Sequence, residues 1–488
     1  MPDKRDPAGV LVRERRLGSI TGYDGTALDL VARSQDGRLA DRSRSFSQCG
    51  TCSSLCATLQ LSLLQDAVVI NHAPLGCAGD FPMFNLYNRY GLSRRGMNVS
   101  NARLISTNLD ESDVIFGATA KLLETIGEAF RRYRPSAIFV TASCASGIIG
   151  EDLDGALREA EAEFGIPVAA VHCEGFRSQV WASGFDAAYH AILEKIVKPP
   201  KIKRPELINV ITFIGDDYFA KLFEPLGLKS NLIVPYLSVE KLERLSEAGA
   251  TAQMCSTLGT YFAAGLERRF GVPEVKSPPP YGLAGTDAFL RELGRIVGKE
   301  REVASFIEAE RAAIAGELEA LRAEFAGVKA FVAAGPAHGH GFMSVLQDLG
   351  MTLVGSCTFH HDPRLDNGNG AGDSLSHVVR THGNVRLGVC NKQSFELVNL
   401  IRRLEPDVLI MRHPSVVVWG AKLGIPTFFI DDENFSVGYR GLVRYGRKIR
   451  DWFRNPSLER TLARHTRLPY PAWWLQQSPF AFLKEERP

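Results

Sequence analysis

Short apolar runs alternate with longer amphipathic stretches along most of this 488-residue chain. The runs are "AVVINH" (67–72), "SAIFVTA" (136–142), "PVAAVHC" (167–173), "LINVITFIGD" (207–216), "NLIVPYL" (231–237), "KAFVAAG" (329–335), "TLVGSC" (352–357), "VRLGVC" (385–390), "DVLIMRH" (407–413) and "PTFFID" (426–431). Each is almost continuously apolar rather than alternating, the pattern of a strand covered on both faces. Separated by helical stretches, such strands predict an α/β protein with parallel sheets. The segment 302–327, "EVASFIEAERAAIAGELEALRAEFAG", is built of strong helix formers and ends in glycine, which predicts one long helix.

Ten strands exceed one comfortable sheet. The basic, proline-containing "KPPKIKRPE" (198–206) and the irregular "SPPPYGLAGT" (277–286) interrupt the pattern. The organisation expected is a charged N-terminal arm with little core (1–45) followed by three α/β domains. These span 46–200, 201–328 and 329–488, the last with a C-terminal extension.

With 45% hydrophobic and 23% charged residues and a net charge of +2, the composition is that of a globular protein. Neither nucleic acid nor an anionic membrane is expected as a partner. The N-terminus lacks the apolar core of a secretory signal and no stretch is long and apolar enough to span a bilayer, so the cytoplasm is the expected location. Nine cysteines, an odd number, in a reducing compartment argue against a disulfide framework and for metal or redox chemistry.

The thiols fall at informative places. "CGTCSSLC" carries Cys49, Cys52 and Cys56, while Cys77 and Cys144 follow the strands 67–72 and 136–142. Ligands gather beyond the carboxyl ends of parallel strands, and a helix N-terminus lowers a thiol's pKa towards the thiolate that binds metal. Structural zinc needs two local ligand pairs; here one local group is joined by thiols distant in sequence. That arrangement suits an iron–sulfur cluster held in a fold-wide cavity or at a subunit interface. Cys173, Cys357 and Cys390 end strands as well and read as buried structural thiols.

Cys52, "INHAPLGCAGD" (70–80), "VTASCASGIIGEDL" (140–153), "VHCEGFRS" (171–178) and "MCSTLGTYFAAGLERRFGVP" (254–273) together resemble, in order and spacing, the α chain of nitrogenase component 1 and its relatives. The likeness runs over about residues 45 to 450 and implies three Rossmann-like domains. By this resemblance Cys52, Cys77 and Cys144 ligate an interfacial 8Fe–7S P-cluster-type cluster shared with a β-type subunit in a heterotetramer. A shift in loop register would put Cys49 in the place of Cys52. Cys255 matches the thiolate of a large iron–sulfur–carbide cofactor, of FeMo-co or 8Fe–9S–C type with the heterometal open. Electrons would come from a separate ATP-dependent iron–sulfur reductase, since no G-x-x-x-x-G-K-S/T occurs here.

Departures from the family pattern narrow the chemistry. Asp431 stands where the family carries a second, histidine ligand to the cofactor; Trp181 and Phe185 replace the glutamine and histidine of the dinitrogen-reducing face; "AGPAHGHG" (334–341) replaces an arginine-bearing loop. Cys255 combined with these losses resembles most the methylthio-alkane reductase α subunit, which implies reductive C–S cleavage of small thioethers to methanethiol and a hydrocarbon. Cofactor-assembly scaffolds share both cysteine sets, so the motifs leave enzyme and scaffold open.

Histidines titrate or ligate near neutral pH. His338 and His340 follow the strand 329–335, and His360 and His361 follow 352–357, as candidate proton donors or ligands. Asp431 is a candidate oxygen ligand or helix cap. Trp181 and Phe185 offer an apolar wall for a neutral substrate or simply pack a core. "GNGAGDS" (368–374) reads as a flexible loop near the cofactor.

Overall fold

The computed structural model describes residues 10–39, 51–213, 217–391, 393–430, 435–481 and 483. These form β1 (Tyr23–Thr26), β2 (Ala67–His72), β3 (Leu104–Ser106), β4 (Ala137–Ala142), β5 (Val168–Val171), β6 (Arg204–Ile211), β7 (Lys229–Ile233), β8 (Ala248–Gln253), β9 (Lys329–Ala334), β10 (Thr352–Thr358), β11 (Arg386–Val389), β12 (Val408–Met411) and β13 (Thr427–Phe429). They make three sheets, ordered β3-β2-β4-β5, β7-β6-β8 and β1-β11-β10-β9-β12-β13. All pairings are parallel except that of β1 with β11. The protein is therefore the α/β, parallel-sheet molecule that its apolar runs predict. β2 and β4 show why: every residue of both is buried, so neither face can be polar.

The chain forms two compact units. One comprises the described residues of Met1–Arg16, Thr51–Asp217 and Gly227–Glu274, and the other those of Leu17–Gly50, Tyr218–Leu226 and Val275–Pro488. The first holds the four- and three-stranded sheets together, so the boundary expected near residue 200 falls inside it. The second holds the six-stranded sheet.

The described part of the N-terminal arm differs from the coreless segment expected. Ile20, Tyr23, Ala27, Leu30 and Val31 are buried against Leu387 and Val389, and β1 pairs with β11 at the sheet edge. A few apolar residues at helix and strand spacing suffice there, because most of the burial is supplied by the sheet they join.

Three helices of the first unit position its chemistry: Ser53–Ser62, Ser183–Lys195 and Ser256–Phe270. Ser183–Lys195 is buried over most of its length. The last of the three stops at Gly271, whose φ of +66° supplies the left-handed cap that favours glycine. In the second unit the predicted long helix runs Glu300–Phe325 and buries Val303, Ile307, Ile314, Leu318, Leu321 and Phe325. Gly438–Phe453 lies alongside it, and three ion pairs recur at seven-residue intervals, the last made by Arg454, which caps that helix. Arg440 meets Glu310 at 2.7 Å, Arg447 meets Glu317, and Arg454 meets Glu324 at 2.5 Å. Among the described residues no helix is long and apolar enough to cross a membrane.

Candidate functional site

Cys52, Cys77 and Cys144 come from three separate segments of the first unit; Cys52 and Cys144 meet beside Gly175, and Cys77 lies near enough to both to feel their charge. Cys52 is the N-cap of Ser53–Ser62, Cys77 lies in the 3-10 turn Leu75–Ala78 after β2, and Cys144 opens the helix Cys144–Ile149 after β4. A Cβ built on Gly175 would sit 3.2 Å from Cys144 Sγ, 3.2 Å from Cys52 Cβ and 3.5 Å from Cys52 Sγ. Burial pushes the Cys77 thiol up, and the neighbouring Cys52 and Cys144 push it further. Three thiolates so placed repel one another until a cation offsets their charge.

The Cys52 side chain makes no capping hydrogen bond to its helix, so its sulfur is not used up in closing the turn. Cys52 and Cys77 are half-buried and Cys144 is exposed. Leu75 and Ile148, near Cys77 and Cys144 in sequence, and Phe176, next to Gly175, are more than half exposed. Among the described residues no three His, Cys, Asp or Glu side chains close on one point tightly enough for a single metal ion. Thiolates are ligands that suit iron–sulfur groups, and Gly175, without a side chain, keeps the space beside Cys52 and Cys144 open. Cys49, the alternative ligand, lies outside the described residues.

Cys173 is nearby but differs in kind. It is buried, its thiol donates to the Ala142 carbonyl at 3.4 Å, and burial followed by the Glu174 charge pushes its pKa well up. Cys357 and Cys390 are fully buried in the core of the second unit.

Cys255 lies elsewhere in the first unit, as N-cap of Ser256–Phe270, again without a capping hydrogen bond from its side chain. It is 7% exposed. A thiolate there lies on the positive end of a 15-residue helix. Ser183–Lys195 connects the two thiol regions: Gly184 packs on Ser53 and Cys56, while Tyr189 stacks on Phe262 at 4.6 Å and its hydroxyl accepts from Gln60 Nε2 at 3.4 Å. Burial, then Cys56 and Cys255, pushes the Tyr189 hydroxyl well up, keeping it protonated. Trp181 and Phe185 meet edge to face at 5.5 Å, and Phe185 meets Phe213 at 6.0 Å, so the two substituted positions belong to one aromatic group.

Behind the Cys144 helix lies a cavity of about 250 Å³ lined by His72, Thr119, Ser146, Glu151, His172 and Glu174, among others. Burial pushes Glu151 up, but hydrogen bonds from the Thr119 hydroxyl and the Ala118 and Thr119 N–H groups outweigh it and hold the carboxyl low. His72, 3.5 Å away, is kept neutral by burial. The sequence reading missed this pair.

The four histidines singled out lie in the second unit, beyond the carboxyl ends of the adjacent strands β9 and β10, and all are buried. His338 Nδ1 is 2.8 Å from the Tyr281 hydroxyl and its ring stacks on Phe435 at 4.8 Å. His340 Nδ1 is 2.7 Å from Ser374 Oγ, His361 Nε2 is 2.7 Å from Ser34 Oγ, and His360 Nδ1 is 3.3 Å from Asp362. Burial and then Arg412 hold His338 well below the usual range. Burial also brings His340 down to about 3 and His361 down to about 4. Asp366 is pushed well up by burial and by Asp373. Asp373 is the N-cap of Ser374–His382, and "GNGAGDS" thus ends in a helix cap. Asp431 lies outside the described residues.

A family model described as nitrogenase component 1 type oxidoreductase matches residues 52–453. The nitrogenase molybdenum-iron protein alpha chain of Methanosarcina barkeri is 28% identical over 304 residues, 60% of this chain and 56% of that one. This match thus spans little more than half of that relative's length. The nitrogenase iron-molybdenum cofactor biosynthesis protein NifE of Methanococcus maripaludis is 26% identical over 437 residues, 86% of this chain and 84% of the relative. The solved structure of nitrogenase Cp1 at pH 5 has the same fold, with a TM-score of 0.68 at 22% identity over 88% of this chain and 92% of that one.

Proposed function

The chain belongs to the nitrogenase component 1 type oxidoreductase family, and from that premise we propose that it is the α-type catalytic subunit of a nitrogenase-like reductase acting on small methylthio-alkanes. The observation that carries this reading is a partly exposed half-site of three thiols from three segments: Cys52 and Cys144 flank Gly175, which has no side chain to fill the space, and Cys77 lies near both. A β-type subunit would complete it. Cys255 would hold the large cofactor, with Asp431 as the proposed second ligand.

When bound, the two iron–sulfur groups supply low-potential electrons delivered by an ATP-dependent reductase. The net reaction adds two electrons and two protons to a thioether, breaking one C–S bond to release methanethiol and a hydrocarbon. The aromatic group Trp181, Phe185 and Phe213 suits a neutral, poorly hydrated substrate. His338, His360 and His361 are the proposed proton-handling residues. Burial holds the pKa values of His338 and His361 down, so either would serve as a neutral relay, passing a proton between its two nitrogens, rather than as a standing imidazolium.

A second reading is a scaffold on which a cofactor precursor matures. It is favoured by one observation, the extended likeness to NifE over 86% of this chain. Anaerobic purification with the β-type partner, iron counting and an assay with ethyl methyl sulfide and the reductase component separate the two. Turnover to methanethiol supports the enzyme; transfer of the cofactor to an apo-enzyme without turnover by the complex supports the scaffold.

A further inference from the structure

Residues 10–17, charged and unpromising in sequence, sink an arginine into the unit that holds the four thiols. Arg13 is fully buried. Its guanidinium donates to Asp186 Oδ1 at 3.1 Å and to the Thr257 carbonyl oxygen, and its backbone N–H donates to Ser183 Oγ at 3.0 Å. Arg16 donates to the other Asp186 oxygen at 2.5 Å and lays its guanidinium 5.2 Å from the centre of the Tyr261 ring. Between them Glu14 accepts from the Ser178 hydroxyl at 2.6 Å and from the Val180 N–H.

Burying a charge is unfavourable unless it is paired and hydrogen-bonded, so a buried arginine fixes the positions of its partners. Those partners are telling. Thr257 and Tyr261 belong to the helix capped by Cys255, Thr257 in its first turn. Asp186 and Ser183 belong to the helix whose Gly184 packs on the turn after Cys52. At the start of the segment, Val10 and Val12 line a small cavity with Ser53, Cys173 and Glu174, behind that same turn.

We propose that residues 10–17 are a clamp, with Arg13 as a positioning residue that sets the first turn of Ser256–Phe270 and so aims the Cys255 thiolate. This rests on the reading of Cys255 as the cofactor thiolate. The segment then contributes to cofactor retention without touching the cofactor.

The test uses the full complex with its partner, prepared anaerobically with and without cofactor, carrying Arg13→Met, Arg13→Lys or Arg16→Met. Cys255 alkylation by iodoacetamide is followed by mass spectrometry in the cofactor-free complex, with Cys357, in the core of the second unit, as internal reference and the melting temperature recorded alongside. For Arg13→Met a change in Cys255 alkylation of about tenfold is expected, the factor for losing one charge-assisted hydrogen bond. Iron held through Cys255, defined by Cys255→Ala, should fall while the interfacial-cluster spectrum stays. Arg13→Lys, which retains a cation, should restore part of both. A merely structural clamp would lower the melting temperature and leave Cys255 alkylation unchanged, which overturns the proposal. If Arg13→Met does not fold, Arg16→Met at the more accessible rim takes its place, and wild-type alkylation and iron in that variant overturn the proposal equally. If Cys255→Ala loses no iron, the cofactor reading fails, while the alkylation result still decides the clamp.

Discussion

Gly184 lies so close to Cys56 that a Cβ on the glycine would come within 2.8 Å of the Cys56 Cβ, and closer still to the Ser53 carbonyl oxygen. The helix that reaches towards Cys255 is thus seated, backbone against backbone, on the helix that begins at Cys52.

Gly184→Ala should therefore destabilise the protein by about 1–3 kcal/mol through overpacking, in spite of the better helix propensity of alanine. Denaturant titration of the anaerobic complex measures this. Stability equal to wild type would show that the two helices can separate without penalty.

At Gly175 the opposite balance is expected. The residue is half-buried, its φ is not positive and the 3.2 Å contacts of an added Cβ are with side-chain atoms of Cys52 and Cys144 that have to give way slightly, so Gly175→Ala should cost the iron-free chain no more than about 1 kcal/mol. Iron per complex should nevertheless fall, because the added carbon takes space between Cys52 and Cys144. Full iron loading in this variant would place the cluster elsewhere.

The cysteines divide by the same two measurements. Cys144→Ala, at an exposed position, should lose iron with no change in the melting temperature of the iron-free chain. Cys357→Ala, in a fully buried core, should lose about 1 kcal/mol of stability and no iron.

His361 gives a signed pH prediction. Its folded-state pKa, about 4, lies below the unfolded value near 6.5, so the unfolded chain binds the extra proton first. Its contribution to stability is complete above pH 6.5 and is lost as pH falls towards 4, with a slope of at most about 1.4 kcal/mol per pH unit. His340 acts in the same direction over a window reaching about 3. Asp366, whose pKa is raised, acts oppositely, favouring the folded state at low pH. The comparison is therefore between wild type and His361→Gln: the variant should lose less stability between pH 6.5 and 4.5, and parallel curves would show that the ring is charged in the folded protein.

What could be read from the sequence follows from how locally each feature is specified. The ten apolar runs all lie on strands: β2 and β4 are buried throughout and so are largely apolar, while β6 and β10 are buried only in their second halves. β8 escaped notice because "AGATAQ" is built of small residues that pack closely without β-branching, and β3 because three half-buried residues carry little pattern. That Cys52, Cys77 and Cys144 come together was legible through their positions at strand ends and in a spaced motif. The place of Gly175 beside Cys52 and Cys144 was not, since those thiols are brought to it from elsewhere in the fold. Arg13 and Asp186, 173 positions apart, looked like ordinary surface charges until the fold buried them together.

The ladder of Arg440, Arg447 and Arg454 on Glu310, Glu317 and Glu324 works like the teeth of a rack. Its partners keep a constant separation of 130 residues, so the two helices run the same way and agree in phase only at whole heptads. Sliding by one tooth would carry Gly438–Phe453 about 10 Å along its neighbour and leave an end tooth unmatched, while smaller slips would break all three pairs. The repeat thus acts as a ruler, choosing one seating for the last long helix where a greasy seam alone would tolerate several.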